Sequence, residues 1–403
     1  RKQSAGAQQM SMLRRIPKLL RFIPGTAQDV RAYFLTLQYW LAGSDENLGN
    51  MVRFLVDRYA GGERAHLRGS LKVAAPVEYP EVGLYHPRMK GRISDKLAQL
   101  PGIQDAKKGR VGLLLMRSYV LASNTGHYDG VIQALEARGL HVVPAFASGL
   151  DARPAIEAFF MQDGIATVDA VVSLTGFSLV GGPAYNDSHA AEEILKRLDV
   201  PYLATLAVEF QTLDQWQESA QGLLPDEATM LVAIPELDGA AGSLVYGGRN
   251  GGGSEDGARD MQAHKERTEM LAARVEKLVR LRRAERAQRK VAAVLFNFPP
   301  NAGNTGTAAY LSVFASLYNT LVALDAAGYS VDLPESVDDL RERIVNGNAA
   351  RYGAHANVRT LSGRNRAAVG FGARQAAERR RFDLRARRPV RQCLRRYPAV
   401  LRL

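Results

Sequence analysis

Cysteine is almost absent: of 403 residues the sole thiol is Cys393. A disulfide framework, a cysteine-based zinc site and a cysteine nucleophile are therefore excluded from the rest of the chain. No apolar run approaches the roughly 20 residues a membrane-spanning helix needs. The chain opens on Arg1-Lys2-Gln3-Ser4, neither an initiator Met nor a signal peptide, and reads as the interior of a longer chain. Excess charge is also missing from most of the sequence. The net charge of +12 points to a nucleic-acid or membrane partner only until it is located. Residues 359–403 hold 14 Arg, no Lys, and only Glu378 and Asp383, which accounts for all of it. Residues 1–358 carry 39 basic and 39 acidic side chains, so the body is neutral.

What is present is a turn used twice. Val111–Arg117 is a strand-length apolar run that leads through Asn124-Thr125-Gly126 into a helix from about His127. Val291–Asn297 leads through Phe298-Pro299-Pro300-Asn301-Ala302-Gly303 into Asn304-Thr305-Gly306, with a helix expected over Thr307–Ala327. Each helix closes at a glycine, Gly139 or Gly328. A β-prone run then follows, His141-Val142-Val143 or Tyr329-Ser330-Val331. Both stretches predict βαβ units, in which ligands sit at the carboxyl ends of the strands.

The coarse order follows from the same reading. Met10–Ile23 is basic and amphipathic, interrupted by Pro17; a packed helix pair is favoured over a membrane-surface helix. Asp29–Trp40 and Asp45–Tyr59 have helical spacing, with Asp45 as N-cap and Tyr33, Phe34, Tyr39, Trp40 and Phe54 expected in the core. Pro76, Pro80 and Pro87 make 74–90 an extended connector. Val168–Leu174, a helix over Asp187–Leu198, Pro201–Ala204 and Met230–Ile234 continue a strand–helix alternation. Gly247–Gly257 reads as a flexible loop and Met261–Arg289 as a long charged helix, solvated on one face. The fold class expected is α/β, parallel sheets from βαβ units preceded by a helical segment. The domains expected are a helical segment and connector over 1–107, an α/β domain over 108–245, a linker and charged helix over 246–290, the start of a second α/β domain over 291–358, and a disordered basic tail over 359–403.

The polar loops offer candidates for chemistry. Asn301–Thr307 suggests phosphate binding at a helix N-terminus, but no Lys follows the glycines, so it is not a Walker A loop. Asn304 and Thr305 also read as simple helix caps. His127 with Asp129, and His189 after Asn186-Asp187-Ser188, lie at helix starts over the strand ends. Glu236 and Asp238 could hold a hydrated Mg²⁺ through oxygen, or be surface turn residues. The positions expected to face a ligand are Asn124, Thr125, His127, Asp129, Asn186, His189, Asn297, Asn301, Asn304 and Thr305.

Longer strings carry a resemblance. Ile23-Pro24-Gly25-Thr26-Ala27-Gln28-Asp29-Val30-Arg31-Ala32-Tyr33, Tyr39-Trp40-Leu41-Ala42-Gly43-Ser44-Asp45-Glu46-Asn47, Gly126-His127-Tyr128-Asp129-Gly130, Gly181-Gly182-Pro183-Ala184-Tyr185-Asn186-Asp187 and Asn297-Phe298-Pro299-Pro300-Asn301-Ala302-Gly303-Asn304-Thr305-Gly306-Thr307-Ala308 resemble the large, porphyrin-binding subunit of magnesium chelatase. The likeness runs through nearly all of 10–358, and the related cobalt chelatase large subunit shares the Pro-Pro-Asn loop. The resemblance implies Mg²⁺ and protoporphyrin IX as substrates, in chlorophyll or bacteriochlorophyll biosynthesis. It also implies ATP used by an AAA+ partner subunit and a second accessory subunit. The implied location is cytoplasmic, with peripheral association at photosynthetic membranes as a variant. Family chains are much longer and carry a later His- and Glu-containing motif, so catalytic and metal-binding residues stay unassigned and this stretch alone is expected to be inactive.

The resemblance stops near Arg359. A GC-rich coding string for the family's Arg-Phe-Gly-Asn-Val-Phe-Val-Gly, read two bases out of phase, gives Val-Arg-Gln-Cys-Leu-Arg-Arg, which is Val390–Arg396. The tail is thus expected to be a shifted reading frame. Three functions compete on sequence: a piece of a chelatase catalytic subunit, a non-enzymatic α/β binding module, and a nucleic-acid binder acting through the tail.

Overall fold

The computed structural model describes residues 16–102, 108–182, 185–251, 260–295, 307–308, 310–352 and 400–402. Two compact units divide at residues 282 and 283.

The first unit opens with a helical hairpin, α1 (Ala27–Ala42) and α2 (Asp45–Tyr59). Gly43 turns the chain with a left-handed φ of 62°. The N-cap of α2 is Ser44, not Asp45: the Ser44 hydroxyl accepts from Asn47 N at 3.2 Å, and Asp45 is left in the first turn, where its charge suits the helix dipole. Of the aromatics expected in the core, only Tyr39 is fully buried, donating from its hydroxyl to Ala74 O at 2.5 Å. Tyr33 and Trp40 are 64% and 63% exposed. Polar groups do the joining instead. Asn47 donates to Val77 O and accepts from Val77 N at 2.9 and 2.8 Å, pinning the proline-rich connector to the hairpin.

The connector ends in β1 (Val82–Tyr85), followed by β2 (Ile93–Ser94). Then come β3 (Arg110–Met116), α3 (Gly126–Ala137), β4 (His141–Ala147), α4 (Arg153–Phe159), β5 (Ala170–Ser173), α5 (Ser188–Leu198) and β6 (Tyr202–Ala204). The sheet order is β6-β5-β3-β4-β1-β2. The four strands β6, β5, β3 and β4 are parallel, and the β1–β2 hairpin closes one edge antiparallel. Alternation along β3 builds both layers. Val111, Leu113 and Leu115 face α3, packing with Tyr128, Ile132 and Leu135. Leu114 faces α4 and α5, with Ile156, Ile194 and Leu198. Each such side chain contributes about 1.5–3 kcal/mol by leaving water.

Gly112 shows how tightly the second layer is set: a Cβ there would lie 2.7 Å from the Phe160 ring. Gly112→Val is expected to lower stability by about 1–3 kcal/mol through overpacking. Gly61→Ala, at an open site with φ −142°, should stay within about 0.5 kcal/mol of the parent. Urea unfolding followed by circular dichroism reads both; equal midpoints would contradict the packing argument.

Beyond Thr205 the chain enters a second sheet, β7 (Leu206–Thr212), β8 (Val245–Arg249) and β9 (Met261–Ala263), then α6 (Lys265–Arg283). Three expectations are corrected here. Met230–Ile234 is not a strand but a π-helical turn, Thr229–Ala233, continuing into a helical turn at Ile234–Leu237. Gly247 and Gly248 are not linker but β8, paired with Ala263 and Gln262. The charged helix starts at Lys265 and is preceded by a strand. It buries Leu271, Ala272, Val275 and Val279 against the α3 side of the sheet and leaves its other face in solvent.

In the second unit, β10 (Ala292–Val294) is followed by α7 (Val313–Ala326) and α8 (Val337–Tyr352), which pack through Leu317, Leu321 and Leu340. The expected helix start at Thr307 is instead a short hairpin, Thr307–Ala308 with Leu311–Ser312. Tyr329-Ser330-Val331 forms no strand, so among the described residues the second βαβ unit is incomplete. Three residues of the tail are described: Val400–Arg402 is a strand, β11, antiparallel to β10, in place of the expected disorder. Residues 359–399 and 403, the rest of that tail, lie outside the described residues, as do 353–358 ahead of it.

Candidate ligand-binding site at the carboxyl edge of the sheet

In the parallel core, β3 connects to β4 on one side while β5 and β6 lie on the other. The loops after β3 and β5 therefore diverge and leave a crevice at their carboxyl ends. Met116, Ala147, Leu150, Ser173, Thr175 and Phe177 line that recess. Ser173 Oγ and Thr175 Oγ1 hydrogen-bond at 2.9 Å. Gly181 begins a short hairpin with Asn186, and its φ of 122° suits only glycine. Leu150 rests on Gly182, and Leu150 and Tyr185 are exposed at the rim. Asp151 is held by Arg153 through two contacts of 2.7 and 2.9 Å, which keeps that carboxylate at the mouth of the loop.

A wider groove of about 220 Å³ adjoins the same edge. Gln38 and Leu41 of α1, Pro76 and Tyr79 of the connector, and Arg117 and Ser148 at the ends of β3 and β4 form its walls. Arg117 donates to Pro80 O at 3.0 Å and Tyr79 O at 3.3 Å, so the guanidinium ties the connector to the strand end.

The residues singled out by sequence divide among different roles. Asn124 Oδ1 accepts from Met261 N at 2.8 Å, and a Cβ on Gly126 would lie 2.7 Å from Met261 O; this loop fastens β9 to α3. Thr125 and Asp129 belong to a partly buried polar knot. The Tyr85 hydroxyl donates to Asp129 at 2.6 Å, Thr125 Oγ1 donates to the other carboxylate oxygen at 3.2 Å, and Arg92 donates to both hydroxyls at 2.5 and 2.8 Å. Burial, with Asp129 next, pushes the Tyr85 phenol up to about 12. His127 packs into the core. It is 1% exposed, its ring 3.8 Å from that of Tyr128 and stacked at 6.0 Å on Tyr246, with Nδ1 unpartnered. Burial lowers its imidazole to about 3. His189 is exposed beside Glu193 at 3.7 Å, on α5. Asn186 lies in the rim hairpin. Asn297, Asn301, Asn304 and Thr305 lie outside the described residues.

Glu236 and Asp238 point to different environments. Glu236 is exposed, while Asp238 is buried and accepts from Ser178 Oγ and Leu179 N, each at 2.7 Å. Asp238 thus anchors the loop after β5. Among the described residues no three His, Cys, Asp or Glu side chains converge as metal ligands, and no helix is long and apolar enough to cross a membrane. Tyr85, Arg92, Asn47 and Arg117 were not singled out from sequence. They meet their partners 7 to 44 residues away, a relation no local spacing encodes.

Topology and recess together define a class: a doubly wound α/β protein with its open site at the carboxyl edge of the parallel strands. More particularly, the chain belongs to the CobN/Magnesium Chelatase family, which matches residues 37–381. Residues 1–34 match a domain of unknown function, DUF3479. The chain is 53% identical over 368 residues to the H subunit of magnesium chelatase from Cereibacter sphaeroides, covering 88% of this chain and 30% of that protein. It is 38% identical over 370 residues to the chloroplastic magnesium-chelatase subunit ChlH of Oryza sativa, covering 87% and 26%. The aerobic cobaltochelatase subunit CobN of Pseudomonas aeruginosa is 29% identical over 320 residues, covering 77% and 24%. The catalytic subunit of cobaltochelatase from Mycobacterium tuberculosis shares the fold, with a TM-score of 0.59 at 23% identity, over 79% of this chain and 25% of that one. The chain therefore spans about a third or less of the length of these relatives.

Proposed function

We propose that this chain is a section of the porphyrin-binding, metal-inserting subunit of a magnesium chelatase, and that its carboxyl-edge rim faces the macrocycle. The observation that carries the reading is the 53% identity to the Cereibacter sphaeroides magnesium-chelatase protein, sustained across 368 residues. Identity to the cobalt-chelatase relative is much lower, 29%, which favours Mg²⁺ as the inserted metal. In the reaction Mg²⁺ sheds tightly held waters and the ring gives up two N–H protons, so oxygen ligands, a base and exclusion of water are all required. The rim can supply part of this. Leu150, Phe177 and Tyr185 offer apolar surface for a flat ring, while Asp151 and Arg153 neutralise each other beside it. The base and the metal-handling groups stay unassigned. ATP is hydrolysed by a partner ATPase subunit, with a second accessory subunit, in the cytoplasm or at the surface of photosynthetic membranes.

Titration of the full chain with a soluble porphyrin tests the reading through quenching of Trp and Tyr emission. Saturable quenching is expected, weakened severalfold by Leu150→Asp and by Tyr185→Ala. A strictly linear, non-saturating response sinks it. Adding Mg²⁺, ATP and purified partner subunits to the chain alone should give no metalloporphyrin absorption, because the chain is a part of the catalytic subunit.

A further inference from the structure

Helix α1 has two apolar faces, and only one is used within its own unit. Ala32 and Tyr39 are buried at 2% exposure, against α2 and the connector. Val30, Tyr33, Leu37 and Trp40 follow one another at spacings of 3, 4 and 3, which places them on one stripe of the helix. Val30, Tyr33 and Trp40 are exposed, and Leu19 and Phe22 extend the apolar surface ahead of the helix. A contiguous patch of this kind marks an interaction site rather than ordinary surface.

The family matches say what belongs on it. One match ends at residue 34 and the next begins at residue 37, both inside α1. Val30 and Tyr33 lie in the first and Trp40 in the second, so one uninterrupted stripe runs across the junction. We infer that this stripe is an interdomain interface, and that its occupant is the body of the domain of unknown function whose matched stretch here is residues 1–34. The helix is then shared: one face belongs to the α/β unit, the other to the neighbouring domain. Charge on α1 itself argues against a membrane surface as occupant of its stripe; the cations Lys18 and Arg21 lie ahead of it, beside Leu19 and Phe22. α1 carries a single cation, Arg31, which donates to Pro17 O at 3.2 Å, and a single anion, Asp29, paired with Arg58 at 3.1 Å. Interfacial helices instead carry a strongly basic polar face.

The chain has two tryptophans, so Trp216→Phe leaves Trp40 as the sole reporter. In the full chain with that change, light scattering should give a monomer, with Trp40 emission typical of water and open to acrylamide. In a longer chain carrying the whole domain ahead of residue 34, the emission should move to the blue and the quenching constant should fall severalfold. Tyr33→Glu should restore exposure without shifting the melting midpoint of the shorter chain. A second measurement does not depend on that longer chain folding. In the whole Cereibacter sphaeroides chelatase protein, hydrogen exchange over the peptide matching residues 27–42 should be slower than in this chain. Three results would overturn the inference: a dimer of this chain that buries Trp40, a blue shift produced by anionic phosphatidylserine vesicles, or a matching peptide no better protected in the whole protein.

Discussion

Acidification from pH 6.5 to 4.5 is expected to destabilise the chain more steeply than it destabilises a His127→Phe variant, by about 2.3 kcal/mol over the interval. The cause is the burial of His127 among Tyr119, Tyr128 and Tyr246, with Nδ1 lacking a partner. Burial lowers the folded-state imidazole from 6.5 to about 3. The sign follows directly. Well above 6.5 neither state binds the proton and nothing is lost. Below 6.5 the unfolded chain takes it up while the folded chain does not, so stability falls as pH falls, by about 1.4 kcal/mol per unit, until the folded group itself titrates. His86 adds to the same trend, since burial lowers it too, although Glu136 at 3.1 Å opposes the shift. Carboxylates contribute to both proteins, so the difference between the two slopes is the readout. Urea unfolding at half-unit pH steps measures it, and parallel slopes would show that His127 takes up its proton in the folded state.

His127 also illustrates where sequence reading stops. A histidine beside an aspartate at a helix start has the composition of a site, and only the tyrosines arriving from 119 and 246 reveal it as core. The parallel strands are legible because strands buried on both faces are continuous apolar runs, as in Arg110–Met116 and His141–Ala147. The same rule misleads at Met230–Ile234, where five apolar residues fit a strand and a helical turn equally well. Pro225 and Pro235 each sit in the first turn of a helical segment there, and Glu227 is fully buried, accepting from Gln211 at 2.5 Å and Leu224 N at 3.1 Å. Gly247 reads as linker because glycine tolerates disorder. In the fold its bareness has another cause: a Cβ would meet Gln262 O at 2.5 Å, so only glycine lets β9 approach. Size alone places Tyr33 and Trp40 in the core, and their exposure leaves that expectation unmet. The site itself is legible as a place, the carboxyl edge, because strand–helix alternation fixes that edge. Its rim is not, since Leu150 and Phe177 come together only when the loops after β4 and β5 meet.

Asp238→Ala should cost about 2–4 kcal/mol, whereas Glu236→Ala, two residues away, should stay within about 0.5 kcal/mol of the parent. Read as a pair, these carboxylates look like ligands for a hydrated Mg²⁺, and the two substitutions would then act alike and only when Mg²⁺ is present. The structure separates them. Glu236 faces solvent, so its loss removes nothing that water cannot replace. Asp238 is 2% exposed and its Oδ2 accepts two bonds of 2.7 Å, from Ser178 Oγ and Leu179 N. Alanine would leave Leu179 N without an acceptor and Ser178 Oγ with only its longer contact to Val180 O at 3.3 Å, and an orphaned donor loses its full desolvation cost rather than the small net value of one hydrogen bond. Asparagine keeps one oxygen acceptor and should recover most of the loss. Because Ser178 and Leu179 form a wall of the recess beneath the rim, Asp238→Ala should also weaken porphyrin quenching, even at temperatures where the chain remains folded. Urea midpoints measured with and without millimolar Mg²⁺ decide between the readings: a Mg²⁺-dependent gain in the parent, abolished equally by either substitution, would restore the pair as a metal site and overturn the anchoring role.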